Sequence, residues 1–225
     1  MKPGFVLPLA ALVASQAVAA QPPPPPPPGT GSVGVSRPAP PAALPAKPAP
    51  AGPIAVPEGN GAPVITDGLF SPGEWDDALR ISVGNSVSLF VKRWRDVVFI
   101  GVRGESASGI GPSELVLSTP GGPVLKLHVS AQLFENVLPP TGDEPPARMG
   151  FTSGWYANEQ RRDEAQRAYP SDGIEFAIRR SKLAGDRWLL RLWASAMDGE
   201  RAGMLTWPAG TAERRTAGWA ELTLN

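Results

Sequence analysis

The stretch VSLFVKRWRDVVFIGV, residues 87–102, is the clearest indication of the fold class. Two runs rich in β-branched and aromatic residues, Val87–Lys92 and Val97–Val102, flank the polar sequence at residues 93–96. Apolar and polar residues alternate over much of the first run, which is typical of a strand with two different faces. The stretch therefore predicts an antiparallel hairpin with its tip at Arg93-Trp94-Arg95-Asp96.

Comparable runs recur further along the chain. Leu115–Leu117 and Val124–Ser130 flank the turn sequence TPGG at 119–122, where Pro presets φ and Gly tolerates a positive φ. More strands are predicted at Gly173–Arg179, Trp188–Ala194 and Gly218–Leu224. Because no segments of helical period connect these strands, the pattern favours an all-β fold, an antiparallel β-sandwich of jelly-roll or immunoglobulin-like type, over a βαβ fold.

Two segments interrupt the strand pattern and predict one or two short helical insertions. Ser71-Pro72-Gly73-Glu74 has the form of a capping box, with Ser as N-cap and Glu at N3, so a helical turn is expected from there to about Ala78. The second segment, Ala157–Ala168, is crowded with charges of both signs and predicts either a solvated short helix or an ordered loop.

The N-terminal part divides into two segments before the predicted domain. Residues 1–20 have a basic start, a short apolar run and an A-x-A exit at Ala17-Val18-Ala19, which predicts a secretory signal peptide. Residues 21–59 are proline-rich, with an unbroken run from Pro22 to Pro28, and are expected to form a disordered polyproline-type linker. The sandwich is predicted at 60–225, in an exported protein that is periplasmic or extracellular and not inserted in a membrane after signal cleavage.

Composition excludes several kinds of site. The chain has no Cys and one His, which rules out thiol chemistry, disulfides and multi-histidine zinc sites. Its 21 basic and 21 acidic residues balance, so no excess of positive charge points to a nucleic-acid partner. A binding module, a carboxylate-based enzyme and a structural domain remain.

One constellation of residues resembles a known family. Ile65-Thr66-Asp67-Gly68, then Glu74-Trp75 and Ala78, followed by the hairpin and by Gly173–Ile178, are similar to the family 9 carbohydrate-binding modules of the DOMON-like β-sandwich superfamily. The likeness spans Val64–Leu224 and lies mostly in scaffold positions. It implies sugar binding without catalysis, and Asp67, Glu74 and Trp75 are interpreted as scaffold rather than ligand contacts.

A sugar site needs flat aromatic faces together with polar groups that reach the hydroxyls. Residues 151–162 are where adjacent aromatics meet amide, carboxylate and guanidinium groups, although strand alternation would send one of Trp155 and Tyr156 into the core. Trp94 at the hairpin tip is a second candidate, and Trp207 a third. The predicted ligand-binding residues are Trp155, Tyr156, Asn158, Glu159, Arg161 and Trp94.

Other readings stay open at this point. The closest rival is an envelope protein-interaction or structural domain on the same scaffold. No catalytic motif is present, but a glycosidase could use two of several carboxylates. No cofactor is predicted, although a structural calcium or a haem would find donors. The residues for these three alternatives are Glu135, Asp143, Glu144, Glu159, Asp163, Asp172 and Glu175 for catalysis; Asp67, Glu74, Asp76 and Asp77 for calcium; and Met149, Met197, Met204, His128 and Lys126 for haem.

Overall fold

The computed structural model describes residues 42–105, 109–149, 154–158 and 171–225. The chain divides into two units, Met1–Ala39 and Pro40–Asn225, and all the described residues belong to the second. No helix among these residues is both long enough and apolar enough to cross a membrane. The strands are β1 Ile54–Ala55, β2 Leu79–Ser82, β3 Val87–Trp94, β4 Val97–Gly104, β5 Ile110–Ser118, β6 Val124–Val129, β7 Leu133–Leu138, β8 Arg148–Met149, β9 Trp155–Ala157, β10 Gly173–Arg179, β11 Arg187–Asp198, β12 Arg201–Trp207 and β13 Ala220–Thr223, with one 3₁₀ turn at Arg180–Lys182.

These strands form two sheets that enclose a common core. The larger sheet has the order β1-β13-β11-β5-β6-β7-β8, with β12 also paired to β11, and the smaller has the order β2-β3-β4-β10-β9. Inward-facing residues of both sheets, such as Ile100 and Phe176 from the smaller and Leu117 and Leu190 from the larger, are buried in one cluster. The prediction of an all-β, mainly antiparallel two-sheet fold is confirmed.

The two hairpins expected from sequence are present. β3 pairs with β4 in the register Val87↔Gly104 to Trp94↔Val97, and Arg95 at the tip adopts a positive φ of 55°. β5 pairs with β6 in the register Ser113↔Val129 to Leu117↔Leu125. The alternation of apolar and polar residues predicted these pairings because each strand buries one face against the core.

Strand β11 joins more neighbours than its sequence suggests. It pairs with β5 along one edge, while its other edge pairs first with β13, from Arg187 to Leu190, and then with β12, from Leu192 to Asp198. β10, the preceding strand, belongs to the other sheet, so the connection through the 3₁₀ turn crosses from one layer to the other.

The helical turn predicted at 71–78 is wrong. Residues 72–77 form consecutive tight turns, in which Glu74 N–H donates to the Ser71 carbonyl at 3.2 Å and Ala78 N–H to the Trp75 carbonyl at 3.1 Å. Gly73 has φ of +88°, a left-handed conformation that a right-handed helix cannot continue through. The glycine inside the apparent capping box is thus the feature that decides its structure.

Residues 42–58, which the sequence assigned to the linker, pack onto the sandwich. Leu44, Ile54 and Val56 are buried in the main core, and β1 pairs in parallel with β13 through Ile54↔Leu222. Beyond β1, Glu58 forms an isolated parallel bridge with Arg93. Proline-rich composition masked these isolated apolar residues, since a strand of two residues leaves almost no periodic signal.

Candidate functional site

The outer face of the smaller sheet is covered by the chain segment at residues 60–78. Phe70 and Trp75 stack on each other, with ring centroids 5.2 Å apart, and both lie over Gly101 of β4. A Cβ at Gly101 would come within 2.8 Å of the Phe70 ring and 3.0 Å of the Trp75 ring. The absence of a side chain at this position therefore lets the two aromatics reach the sheet.

Beneath this cover lies Glu175, whose side chain is completely buried. One carboxylate oxygen accepts the Trp75 indole N–H at 2.8 Å, and the other accepts the backbone N–H groups of Asp67 at 3.1 Å and Gly68 at 2.8 Å. The Asp67-Gly68 and Glu74-Trp75 sequences thus converge on one carboxylate of β10. This confirms Trp75 as a scaffold residue and shows that Glu175 does not face solvent.

The electrostatics of this cluster are unusual. Burial raises the pKa of Glu175 to about 7, aided by the charges of Asp67 and Glu74, against the hydrogen bonds from Trp75 and Gly68, which lower it. One oxygen of Glu74 is also buried, without a hydrogen-bond partner among the described residues. The Glu175 carboxyl therefore keeps its proton to a higher pH than an ordinary glutamate does.

Three predicted ligand-binding residues lie in or beside the core of this region. Asn158 is buried, with its amide N–H donating to the Gly173 carbonyl at 3.1 Å and its amide oxygen accepting the Glu175 N–H at 2.6 Å. Trp155 is 6% exposed and packs in the main core, as alternation required of one of the two aromatics, while Tyr156 is half-buried against it. Glu159 and Arg161 lie outside the described residues.

The indole N–H of Trp155 nevertheless binds a carboxylate that lines a cleft. It donates to Glu135 at 2.9 Å, and the same carboxylate oxygen pairs with the Lys182 ammonium at 2.7 Å. The cleft has a volume of about 410 Å³ and includes Arg148 and Arg179 in its lining. Trp155 therefore holds a carboxylate in place and does not offer a ring face to the cleft.

Trp94, the remaining predicted site residue, lies at the tip of the β3–β4 hairpin. It is half-buried against the cluster that contains Phe70 and Trp75. The Arg95 guanidinium lies 4.1 Å from its ring centroid, in cation–π contact. Trp207, the third candidate, is fully buried in the main core. A ligand that stacked on Trp94 would have to share or displace Arg95.

The outer face of the larger sheet carries a different arrangement. Strand register places five side chains in one row across β12, β11, β5, β6 and β7, each half-buried. Trp193 and Phe134 in this row belong to none of the three apolar clusters of the described residues. The members, in order, are Thr206, Trp193, Glu114, His128 and Phe134; we call them the cross-strand row.

The centre of the cross-strand row is a polar pair. A carboxylate oxygen of Glu114 and Nδ1 of the His128 imidazole are hydrogen-bonded at 3.0 Å. The two side chains are 17% and 15% exposed, respectively. The His128 ring stacks on Phe134, with centroids 4.1 Å apart and an interplanar angle of 13°. Aromatic rings and hydrogen-bonding groups thus alternate along one accessible face.

A second row, next to the first, is charged and more deeply buried. Lys126 pairs with Glu144 at 2.5 Å and with Glu213 at 3.5 Å. Burial acts against the charge on Lys126, but the Glu144 hydrogen bond and the charges of Glu114 and Glu213 raise its pKa overall. Arg191 is buried in the same row, and burial lowers its pKa against the opposing charges of Glu213 and Glu114. These cations hold the loops at 139–147 and 208–219 over the sheet beside the cross-strand row.

Sequence reasoning missed Trp193, Phe134 and Glu114. The signal was available in β11, where Trp193 lies between Leu192 and Ala194, which point into the core. Alternation placed Trp193 on the outer face, but which aromatics an outer face leaves uncovered depends on loops distant in sequence.

The donors considered for other chemistries are dispersed. No group of three or more His, Asp or Glu side chains in the described residues could hold a metal ion. Of the calcium candidates, Asp77 pairs with the buried Lys92 at 2.9 Å. Burial tends to raise the pKa of Asp77, but hydrogen bonds from Lys92, Gly61 and Asn60 lower it overall. Of the haem candidates, His128 and Lys126 are each paired with a glutamate.

Comparisons with known proteins give little similarity. No protein-family model and no curated protein sequence matches the chain. A solved structure of a proposed carbohydrate-binding protein from Bacteroides uniformis is similar, with 7% sequence identity and a TM-score of 0.39, over 62% of this chain and 78% of that one. A likeness this low assigns no function, and membership of the family 9 modules stays a prediction.

Proposed function

We propose that the protein binds a saccharide, without catalysis, on the outer face of its larger sheet. The observation that carries this proposal is the cross-strand row, in which Trp193 and Phe134 are half-buried but outside every apolar cluster of the described residues, while Glu114 and His128 lie between them. Aromatics that are not needed for core packing, on an accessible sheet face, are typical of a binding surface.

The chemistry of the row suits a sugar. The apolar face of a pyranose ring stacks on flat aromatic side chains, and its hydroxyls need both donors and acceptors. Trp193 offers the ring, Glu114 accepts hydrogen bonds, and His128 and Thr206 can donate or accept. Because the carboxylate is already held by His128 at 3.0 Å, little ordering is needed when a hydroxyl binds.

The length of the row favours an oligosaccharide over a monosaccharide. Trp193 and Phe134 are three strands apart, which at about 4.8 Å per strand separates them by about 14 Å. Two aromatic positions at this distance would contact different sugar units of one chain. In this proposal the protein is exported by its N-terminal segment and meets the polysaccharide outside the cytoplasm.

The loop site at residues 151–162 remains a competing prediction for where the same ligand binds. Its described aromatics are Trp155, which is buried, and Tyr156, which packs on the core. The two sites make opposite predictions for single variants, since only one of them can contain the residues whose truncation abolishes binding.

The test is a glycan array and an insoluble-polysaccharide pull-down on the full chain, followed by titration of any hit on three variants. Trp193→Ala is expected to weaken binding at least tenfold, and Glu114→Gln to weaken it several-fold. Tyr156→Ala is the matched control, because it also removes a half-buried aromatic from a strand and leaves the cross-strand row intact.

Two results would overturn the proposal. Absence of binding to any glycan by the folded wild type would refute saccharide recognition itself. Binding that survives Trp193→Ala but is lost in Tyr156→Ala would retain the function and move the site to the loop.

A further inference from the structure

A second pocket lies on the opposite side of the sandwich, at the β2 edge of the smaller sheet. It has a volume of about 240 Å³ and is lined by residues of β2, β3 and β4 and of the turn that follows. Its lining consists of Arg80, Ser88, Phe90, Arg103, Gly104 and Glu105. This small pocket is thus lined by two guanidinium groups.

Both guanidiniums are held in place by aromatic rings. Arg80 lies over Phe90, with 5.7 Å from its guanidinium carbon to the ring centroid, and its Nε donates to the Ser88 hydroxyl at 3.1 Å. Arg103 lies over Phe70 at 5.3 Å. Cation–π contact and the serine hydrogen bond orient the two side chains, which lowers the entropy cost of gripping a ligand.

The charge of the pocket is not neutralised by ion pairs. Neither Arg80 nor Arg103 forms a salt bridge with a carboxylate of the described residues. A third cation, Lys47, binds the hydroxyl of Ser82 at 2.8 Å, and Ser82 is the cross-strand neighbour of Ser88. The lining itself holds two cations, Arg80 and Arg103, against one acidic residue, Glu105.

We infer that this pocket binds an oxyanion, a carboxylate, sulfate or phosphate group of a small ligand, between Arg80 and Arg103. Arginine forks pair with the planar or tetrahedral oxygens of such groups through two hydrogen bonds each. Ser88, which also lines the pocket, supplies a hydroxyl beside Arg80. The site is separate from the cross-strand row, so the inference does not rest on saccharide binding there.

The experiment follows the side-chain Nε–Hε signals of arginine by NMR in the full chain during titration with sodium phosphate, sulfate and acetate at constant ionic strength. Saturable shifts of the Arg80 and Arg103 signals are expected with at least one anion. Arg103→Gln and Arg80→Gln should each weaken that binding at least tenfold. Arg201→Gln, an exposed charge removal on the other sheet, is the matched control and should leave the affinity unchanged.

The anion series separates the ligand classes, because preference for acetate indicates a carboxylate and preference for phosphate or sulfate indicates a tetrahedral group. Absence of saturable shifts with all three anions would overturn the inference. Equal weakening by Arg201→Gln would also overturn it, since that result would mean general charge screening. Both pocket arginines are exposed, so their variants are expected to fold, which circular dichroism checks.

Discussion

The outer face of the smaller sheet lies under residues 60–78, with Phe70 and Trp75 pressed against it, whereas the cross-strand row of the larger sheet keeps Trp193 and Phe134 outside every apolar cluster of the described residues. Each face carries a glutamate at its centre. Glu175 is completely buried, and Glu114 is 17% exposed beside His128.

The difference between the two faces arises from a few positions. Gly101 leaves a gap that the covering aromatics fill, and Glu175 supplies the acceptors that fix the covering segment through three hydrogen bonds. On the larger sheet Glu114 instead contacts His128 at 3.0 Å, and the His128 ring stacks on Phe134. Equivalent residue types therefore hold a covering segment on one face, whereas on the other they form a half-buried row on the sheet itself.

The largest expected difference is in stability, between two separate variants in which Trp75 or Trp193 is replaced by alanine. Trp75→Ala should lower the free energy of unfolding by about 3–5 kcal/mol, because it removes a buried ring and leaves one of the two Glu175 carboxylate oxygens without its donor. Trp193→Ala should cost less than about 1 kcal/mol, since the ring lies outside the core clusters. Urea denaturation measures the free energy of unfolding of both variants. Equal losses would show that the two faces contribute alike to stability.

Replacing each glutamate by glutamine should show the same contrast in stability between the two faces. Glu175→Gln is expected to cost about 3 kcal/mol, because one end of the amide would turn N–H groups toward backbone donors or toward the Trp75 indole. Glu114→Gln keeps an acceptor for His128 and should change stability by less than about 0.5 kcal/mol. Thermal unfolding of the pair compares them directly, and a costly Glu114→Gln would mean that this face is structural too.

The buried carboxyl also predicts a pH dependence. With a pKa of about 7 when folded and an ordinary value of 4.5, Glu175 keeps a proton in the folded chain that the unfolded chain releases between those values. Stability from this group is therefore present below pH 4.5 and is lost as pH rises through 7, by at most about 3 kcal/mol. Denaturation between pH 5 and 8 measures the fall; Glu175→Gln should flatten it, and an equally steep profile in that variant would assign the fall to other groups.

A smaller loss of stability is expected when the gap above Gly101 is filled. Gly101→Ala should cost about 2 kcal/mol, since the new Cβ would contact Phe70 at 2.8 Å. Combined with Phe70→Leu, the same substitution should cost less than it does alone, because the smaller side chain can move away. A double-mutant cycle tests this coupling, and strict additivity would show that the covering aromatics do not depend on Gly101.

Much of the fold, but only part of the candidate site, could be predicted from the local pattern of apolar and polar residues. Alternation at 87–102, and the runs at 115–117 and 124–130 on either side of a turn sequence, predicted two hairpins that the structure contains. The same alternation placed one of Trp155 and Tyr156 in the core, and Trp155 is buried. It did not indicate that Glu175, considered there as a catalytic carboxylate, would be completely buried.

Local sequence pattern does not show which face of a sheet is covered by a segment that is distant in sequence. Asp67 N–H and Glu175 are 108 residues apart in sequence, so nothing in the strand that contains Glu175 signals its burial. The apparent capping box within this covering segment forms no helix, because Gly73 has a φ of +88°. The exposure of Trp193 likewise depends on where the loops at 139–147 and 208–219 end.

The parallel pairing of β1 with β13 has a kinetic consequence. The Thr223 hydroxyl donates to the Ile54 carbonyl across 169 residues of sequence, and β11 needs β5, β12 and β13 at once to complete its two edges. Such contacts form only after long loops have closed, which makes the relative contact order high and refolding slow, on the millisecond-to-second scale of all-β domains. During that interval the edge of β11 that pairs with β5 stays unpaired, so aggregation on refolding should depend steeply on protein concentration.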